Sequence, residues 1–283
     1  LDNRFEKRHT VDYFKNGKNG TIKHLYEFIS YNKKFVEFPK ISVIIPVLQE
    51  EKILEETLKI YSDNLRKKYK FELIVSDGGS TDKTIEIAKK YADIIVRHNE
   101  TRKQTIAEGR NKGALVSSGD ILVFINADTI PENPEKFFDF ITQLTDENHK
   151  YSKFGAIATK VNVAENERLL KDSIFYFFHN FYVRFLNKIG FGMGRGECQI
   201  IKRTVFEKVG GYNPKIIAGE DFDLYRRISG VGKIGFVNEL VVHESPRRFR
   251  KYGYMKILIS WIVNSLSVIF FGKSVSDEWE PVR

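Results

Sequence analysis

The chain reads as an α/β protein: a Rossmann-like, mostly parallel central sheet with helices on both faces and a C-terminal helical extension. Three observations predict this. The runs ISVIIPVL (41–48), FELIVSD (71–77), DIIVRH (93–98) and ILVFINAD (121–128) are continuously apolar and β-branched, as strands buried on both faces are. Helical patterns at about 50–67, 81–91, 102–117 and 133–146 separate and follow them, the alternation that builds a helix-covered parallel sheet. Acidic clusters stand at element ends, SDGGSTD (76–82), INAD (125–128) and GED (219–221), where open α/β sheets place ligands, metals and catalytic bases.

Taken in order, residues 1–40 form a polar, basic N-terminal arm with scattered aromatics (Phe5, Tyr13, Phe14, Tyr26, Phe28, Tyr31). Gly17 and Gly20 interrupt any long helix, so a short helical or irregular segment is expected, packed on the core or a membrane. Residues 41–245 are expected to form the main domain, in two halves, 41–130 and 131–245. Its second helix is expected to start after Ser80 or Thr81, both good N-caps. Beyond Gly155 the alternation loosens, leaving strands at 155–163, 196–202 and 233–242 around an aromatic-rich helix at about 168–189. Residues 246–283 are a basic and apolar extension, expected at a membrane interface or in the core.

Composition narrows the function classes. With 283 residues and 42% hydrophobic content the chain is long and apolar enough to build a core. Its one cysteine, Cys198, excludes an internal disulfide and a thiolate metal cage and is expected as core filler. A net charge of +9 favours anionic partners. No nucleic-acid recognition motif accompanies the basic residues, and strand-end carboxylates would repel phosphates, so nucleic acid is not an expected partner. The sequence opens on Leu1 with no early apolar segment, so no signal peptide is expected. The expected location is cytoplasmic, with peripheral contact at the inner face of the cell membrane.

Each motif has a chemical reading and a plainer one. After the first strand come Pro46, Gln49 and Glu50, without the glycine-rich turn of a dinucleotide site. Glu50 suits a ribose or base edge, or a helix's first turn. Gly78 and Gly79 let the chain turn and leave Asp77 at a strand end, where a carboxylate can accept from the imide N–H of uracil; helix capping is the alternative. Arg102, Lys103, Arg110 and Lys112 form a helical basic set, either solvated or reaching a diphosphate, and Gly109 and Gly113 mark close backbone approach. Asn126 and Asp128 are expected on one side of their strand, with Asp128 the better ligand for Mg²⁺ or Mn²⁺. His243 is a candidate third ligand or a structural histidine. Arg247, Arg248, Arg250, Lys251 and Lys256 suit a pyrophosphate or an anionic lipid headgroup.

Two apolar segments complete the reading. The rings at 175, 178, 181, 182 and 185 share one helical face, by default core, otherwise a wall for a lipid-linked acceptor. The stretch Ile257 to Phe271 falls short of the roughly 20 residues needed to span a bilayer and suits an interfacial or a core helix.

In this order and spacing, PVLQE, DGGSTD, RNKGA followed by GDILVFINAD, GGY (210–212) and GEDFDLYRRI resemble the family 2 glycosyltransferases of the GT-A fold over about residues 40–245. The resemblance implies a catalytic domain over 41–245 with a nucleotide-binding half at 41–130 and an acceptor half at 131–245, a nucleotide-diphosphate sugar donor, commonly a uridine one, and inversion at the anomeric carbon. It implies nucleotide contacts at Pro46, Glu50, Asp77, Gly79, Arg110, Asn126 and Ala127, and a divalent metal, Mn²⁺ or Mg²⁺, on Asp128 assisted by His243. It implies Asp221 as general base within the Glu220–Asp221 pair, with Arg247 or Arg248 on the diphosphate or a lipid headgroup. Asn126 replaces the commoner Asp of the metal motif. The Gln-x-x-Arg-Trp motif of processive synthases is absent, so transfer of one sugar to a glycan or lipid-linked acceptor is expected. A sugar nucleotidyltransferase and a catalytically silent membrane-binding module are the competing readings.

Overall fold

The structure, a computed structural model, describes residues 6–17, 20–31 and 40–276, the first two segments by backbone alone. Its core begins with three parallel strands, β3 (Ile41–Val47), β4 (Phe71–Asp77) and β6 (Ile121–Ile125), with β3 in the middle. Their side chains divide between two apolar layers. Val43, Ile45, Leu73, Val75, Val123 and Ile125 face one cluster; Ile44, Ile74, Leu122 and Phe124 face the other. Burial on both faces explains the unbroken apolar runs.

On the first face pack α1 (Leu54–Lys59), α2 (Asp63–Tyr69), α3 (Thr84–Tyr91) and α5 (Pro134–Gln143), through Leu58, Tyr69, Ala88 and Phe138. The single helix expected at 50–67 is two, because Ser62 caps α2 by accepting from the Leu65 amide at 3.3 Å. On the second face lies α4 (Ile106–Val116), begun by a reciprocal Thr105–Glu108 capping box. A Cβ at Gly113 would stand 2.4 Å from Ile44 Cγ2, so the glycine lets α4 sit directly on β3.

Beside β4 lies β5 (Ile94–Arg97), also parallel. The remaining strands are β1 (Glu6–Gly17), β2 (Gly20–Tyr31), β7 (Thr129–Pro131), β8 (Phe154–Asn162), β9 (Cys198–Lys202) and β10 (Lys233–Glu244). Among the described residues the sheet runs β1-β2-β5-β4-β3-β6-β9-β8-β10-β7. The arm is therefore not helical or irregular as expected: β1 and β2 form an antiparallel hairpin that continues the sheet through β2 and β5. Gly17 and Gly20, read as helix breakers, are a registered pair of this ladder.

The second half contributes α6 (Leu170–Lys188), α7 (Arg203–Lys208), α8 (Glu220–Ser229), α9 (Arg247–Tyr252) and α10 (Tyr254–Phe271). In α6 the buried residues are Asp172, Tyr176, His179, Asn180, Val183 and Asn187, while Phe177, Phe178, Phe181, Tyr182 and Phe185 are exposed. Of the five rings expected on the core face only Phe175 packs inward; the helix turns its polar side to the core. The apolar stretch was expected to fall short of a bilayer span, but the helix begins three residues earlier, at Tyr254, and α10 is long and apolar enough to cross a membrane by length and composition, about 27 Å at 1.5 Å per residue. It lies along the domain, touching α6 where Trp261 meets His179 and Phe175.

Candidate active site

At the C-terminal ends of β3, β4 and β6 opens a cavity of about 800 Å³. Pro46, Glu50, Asn126, Ala127 and Asp128 line it from the first half. Glu220, Asp221, Arg247 and Arg248 line it from the second. The sequence thus placed most of its candidates in one crevice.

Beneath the cavity Arg110 is fully buried. It donates to Glu220 Oε1 at 2.7 Å, to Asn126 Oδ1 at 3.0 Å and to the Gly196 carbonyl at 2.6 Å. Both amino groups are held by protein, so it ties α4, the end of β6 and the start of α8 together at the cavity wall, with only its Nε left without a partner among the described residues. Asn111 beside it clasps Tyr212 of the GGY turn by two backbone hydrogen bonds of 2.9 and 3.0 Å.

Because Arg110 occupies Glu220, Asp221 is the carboxylate of that pair left without an ion pair among the described residues. Burial and the adjacent Glu220 charge, offset by Arg110, push its pKa up to about 7. The chain passes close beneath it at Gly196, where an added Cβ would stand 3.5 Å from Asp221 Oδ2, an ordinary van der Waals contact. Asp221 is the second residue of α8, which Glu220 opens after Gly219, whose φ of +89° suits glycine.

Asp128 sits in the turn after β6. Burial raises its pKa, against the pull of the Arg247 guanidinium, which reaches Asp128 Oδ2 at 3.1 Å and Glu50 Oε2 at 3.3 Å. Glu50 is therefore a partner of Arg247, neither a helix first-turn residue nor a free ribose acceptor. Arg248 also lines the cavity and stacks on Tyr252, while Arg250 pairs with the buried Asp172 of α6.

Three expectations need correction. Asp77 is fully buried and does not line the cavity; its oxygens accept from the amides of Gly79 and Ser80, so it shapes the loop in which Gly79 takes a φ of +102°. Ser80 and Thr81 do not cap α3: they bond to Gln49 and tie the two loops together. His243 does not meet Asp128. It points across β10 to Glu132, 3.2 Å away, and strand alternation turns its neighbour Glu244 into the cavity instead.

The sequence reading missed a second group of lining residues: His179, Arg195, Glu197, Glu244 and Trp261, with Ser76 and Gln104 nearer β4. Arg195 pairs with Glu197 through two bonds of 3.0 and 3.2 Å and approaches Glu244 at 3.6 Å. Although burial opposes it, Arg195 holds the Glu197 carboxyl down to about 2. Burial and Glu197 push Glu244 well above the usual range, and Tyr176 donates to it. The one signal in the sequence was Arg-Gly-Glu immediately before an apolar strand.

Among the described residues no three His, Cys, Asp or Glu side chains converge into a metal cage. The donor chemistry nonetheless fits one hard cation. Asp128 presents a carboxylate to the cavity, and Arg247 already sets a positive group against it and Glu50.

Comparison with known proteins agrees. The model of Glycosyl transferase family 2 matches residues 42–210, more than half of the chain. The chain is 27% identical over 224 residues to the probable glycosyltransferase YdaM of Bacillus subtilis (strain 168), a match covering 71% of this chain and 49% of that protein. It is 25% identical over 239 residues to the dolichyl N-acetyl-alpha-D-glucosaminyl phosphate 3-beta-D-2,3-diacetamido-2,3-dideoxy-beta-D-glucuronosyltransferase of Methanococcus voltae, covering 78% of this chain and 71% of that one. The match thus spans about half the length of the first relative. Among solved structures, the mannosyltransferase PcManGT from Pyrobaculum calidifontis, in complex with GDP-Man and Mn²⁺, has the same fold. Its TM-score is 0.63 at 19% identity, covering 84% of this chain and 66% of that one. With the motif order, the sheet and the family match in agreement, the chain belongs to glycosyl transferase family 2 and has the GT-A fold.

Proposed function

We propose that the protein transfers one sugar, with inversion, from a uridine-diphosphate sugar to an acceptor hydroxyl or lipid phosphate on a glycan or lipid-linked acceptor at a membrane surface. One observation carries this: Asp128 and Asp221, from separate halves of the chain, line the same cavity. Asp128 would hold a divalent cation, Mn²⁺ or Mg²⁺, whose contribution is to offset the charge gained by the departing diphosphate. Arg247, with its guanidinium between Asp128 and Glu50, adds positive charge at that point. Asp221 takes the proton of the attacking hydroxyl, a task suited to a carboxylate poised near neutrality. Arg110 keeps the two sides in register through Asn126, Gly196 and Glu220.

For the base, Gln104 Oε1 and Ser76 Oγ replace Asp77. Both are buried polar atoms without a partner, on residues lining the cavity beside Pro46 and Gly78, and Gln104 Oε1 can accept from the ring N–H of uracil. Membrane contact is supported by the exposed rings of α6, Phe177 70% and Phe181 65% exposed, and by Met255, Ile259, Phe270 and Phe271 of α10. Exposed Lys171, Arg184, Lys188 and Lys256 edge this surface and suit anionic headgroups.

A thermal-shift screen of nucleotide diphosphates and their sugars, with and without Mn²⁺, tests the donor. A uridine-specific, metal-dependent rise that Asp128→Ala removes is expected. A guanosine-specific rise overturns the base assignment, and pyrophosphate release from a nucleoside triphosphate makes the protein a nucleotidyltransferase. Co-sedimentation with vesicles containing anionic lipid should be lost in Phe178→Ser/Phe181→Ser; no binding by the unmodified chain removes the membrane from the proposal.

A further inference from the structure

We propose that the side of the cavity formed by His179 and Trp261, together with the Arg195–Glu197 pair, is an acceptor subsite for a neutral hydroxylated ring. The nucleophile is then a hydroxyl of a sugar unit, not a phosphate. The inference rests on the proposed function and narrows its acceptor.

His179 is only 9% exposed, lines the cavity and has no hydrogen-bond partner at Nδ1. Burial and the Arg195 charge push its pKa down to about 3, so the ring is neutral and offers a hydroxyl a donor or an acceptor. Trp261 lies beside it, ring centroids 5.3 Å apart and 32° between planes, braced edge-on by Phe249 at 87°. An aromatic wall with a few fixed polar groups suits a ring that is apolar on its faces and polar at its edge.

Charge argues against phosphate here. Arg195 is taken up by Glu197 at 3.0 and 3.2 Å and faces Glu244 at 3.6 Å, while Arg247 is held by Asp128 and Glu50. Position favours a sugar as well. Gly196, between Arg195 and Glu197, passes under the Asp221 carboxylate, so a ring on this side brings its hydroxyls toward the general base. His179 and Trp261 belong to the two helices with exposed apolar side chains, α6 and α10. A sugar head in the cavity with an apolar tail along those helices satisfies both surfaces.

The test reads binding without turnover. Trp279→Phe leaves Trp261 as the sole tryptophan of the full chain. Its emission is followed on adding octyl glycosides of glucose, galactose, mannose or N-acetylglucosamine, octyl phosphate, and octanol as a tail-only control, all below micelle-forming concentrations. At least one glycoside should give a saturable change at concentrations where octyl phosphate and octanol give none. His179→Gln should weaken that glycoside by about 5- to 10-fold, the worth of one neutral hydrogen bond, with nucleotide affinity unchanged. The subsite is overturned if octyl phosphate or octanol matches the glycosides, if no glycoside responds, or if His179→Gln binds as the unmodified chain. The ligand comparison needs no change at the subsite, so a variant that fails to fold does not protect the proposal. Glycoside binding without any nucleotide binding overturns the proposed function and leaves the subsite standing.

Discussion

Replacing Asp221 by Asn should lower turnover and raise stability together. The shift from 3.8 to about 7 means that ionising Asp221 in the folded chain costs about 4 kcal/mol more than in the unfolded chain, at 1.36 kcal/mol per pKa unit. The folded state holds this proton more tightly, so its stability is undiminished below about pH 4, falls as pH rises toward 7 and levels off above that. Asp221→Asn removes the charge without changing the shape. Its melting temperature should equal that of the unmodified protein near pH 4 and exceed it at pH 8, with at most about 4 kcal/mol gained. Turnover should fall by about 10²- to 10⁴-fold while donor affinity stays, since a general base acts in the transition state. In the unmodified enzyme kcat should rise with pH through about 7 as Asp221 ionises. Calorimetric melting at the two pH values and single-turnover transfer would measure both effects. An Asn variant that melts lower at pH 8, or turns over normally, refutes the assignment.

Two further outcomes follow from the packing. Arg247→Ala leaves Asp128 and Glu50 facing each other without their shared guanidinium and should cost about 1–3 kcal/mol in metal-free buffer; Mn²⁺ should restore part of this if the cation binds Asp128, and a melt indifferent to Mn²⁺ speaks against metal there. Gly113→Ala forces a methyl to 2.4 Å from Ile44 Cγ2 at the α4–β3 contact and should cost about 1–3 kcal/mol in chemical denaturation, with an unchanged midpoint showing that the contact yields.

The sheet was legible because double-sided burial leaves an unmistakable mark: Ile41 to Ile45 and Ile121 to Ile125 are apolar at nearly every position and face two cores. Asp128 and Asp221 were legible because carboxylates at element ends point into the crevice that the fold creates. The fate of a polar group was not legible, since it depends on which partner arrives from elsewhere. Asp77 was claimed by its own loop amides, Arg110 by Glu220 across 110 positions of chain, and Glu50 by Arg247 across 197. His243 was read as a ligand on chemistry, but strand alternation, a fact of direction, turns it toward Glu132 and turns Glu244, which the reading had not considered, into the cavity. The rings of α6 were placed in the core by default, yet the helix buries mainly polar residues, Asp172, His179, Asn180 and Asn187 among them, and of these His179 reaches the cavity.

Arg110 makes one guanidinium the cross-brace of the whole machine. Its loss would strand Glu220 as an uncompensated buried carboxylate, worth about 3–5 kcal/mol. The same substitution would unfasten Asn126 on one flank and Gly196 on the other. An activity screen would score such a variant as dead and tempt the experimenter to award Arg110 a chemical role, whereas what had failed would be the chassis.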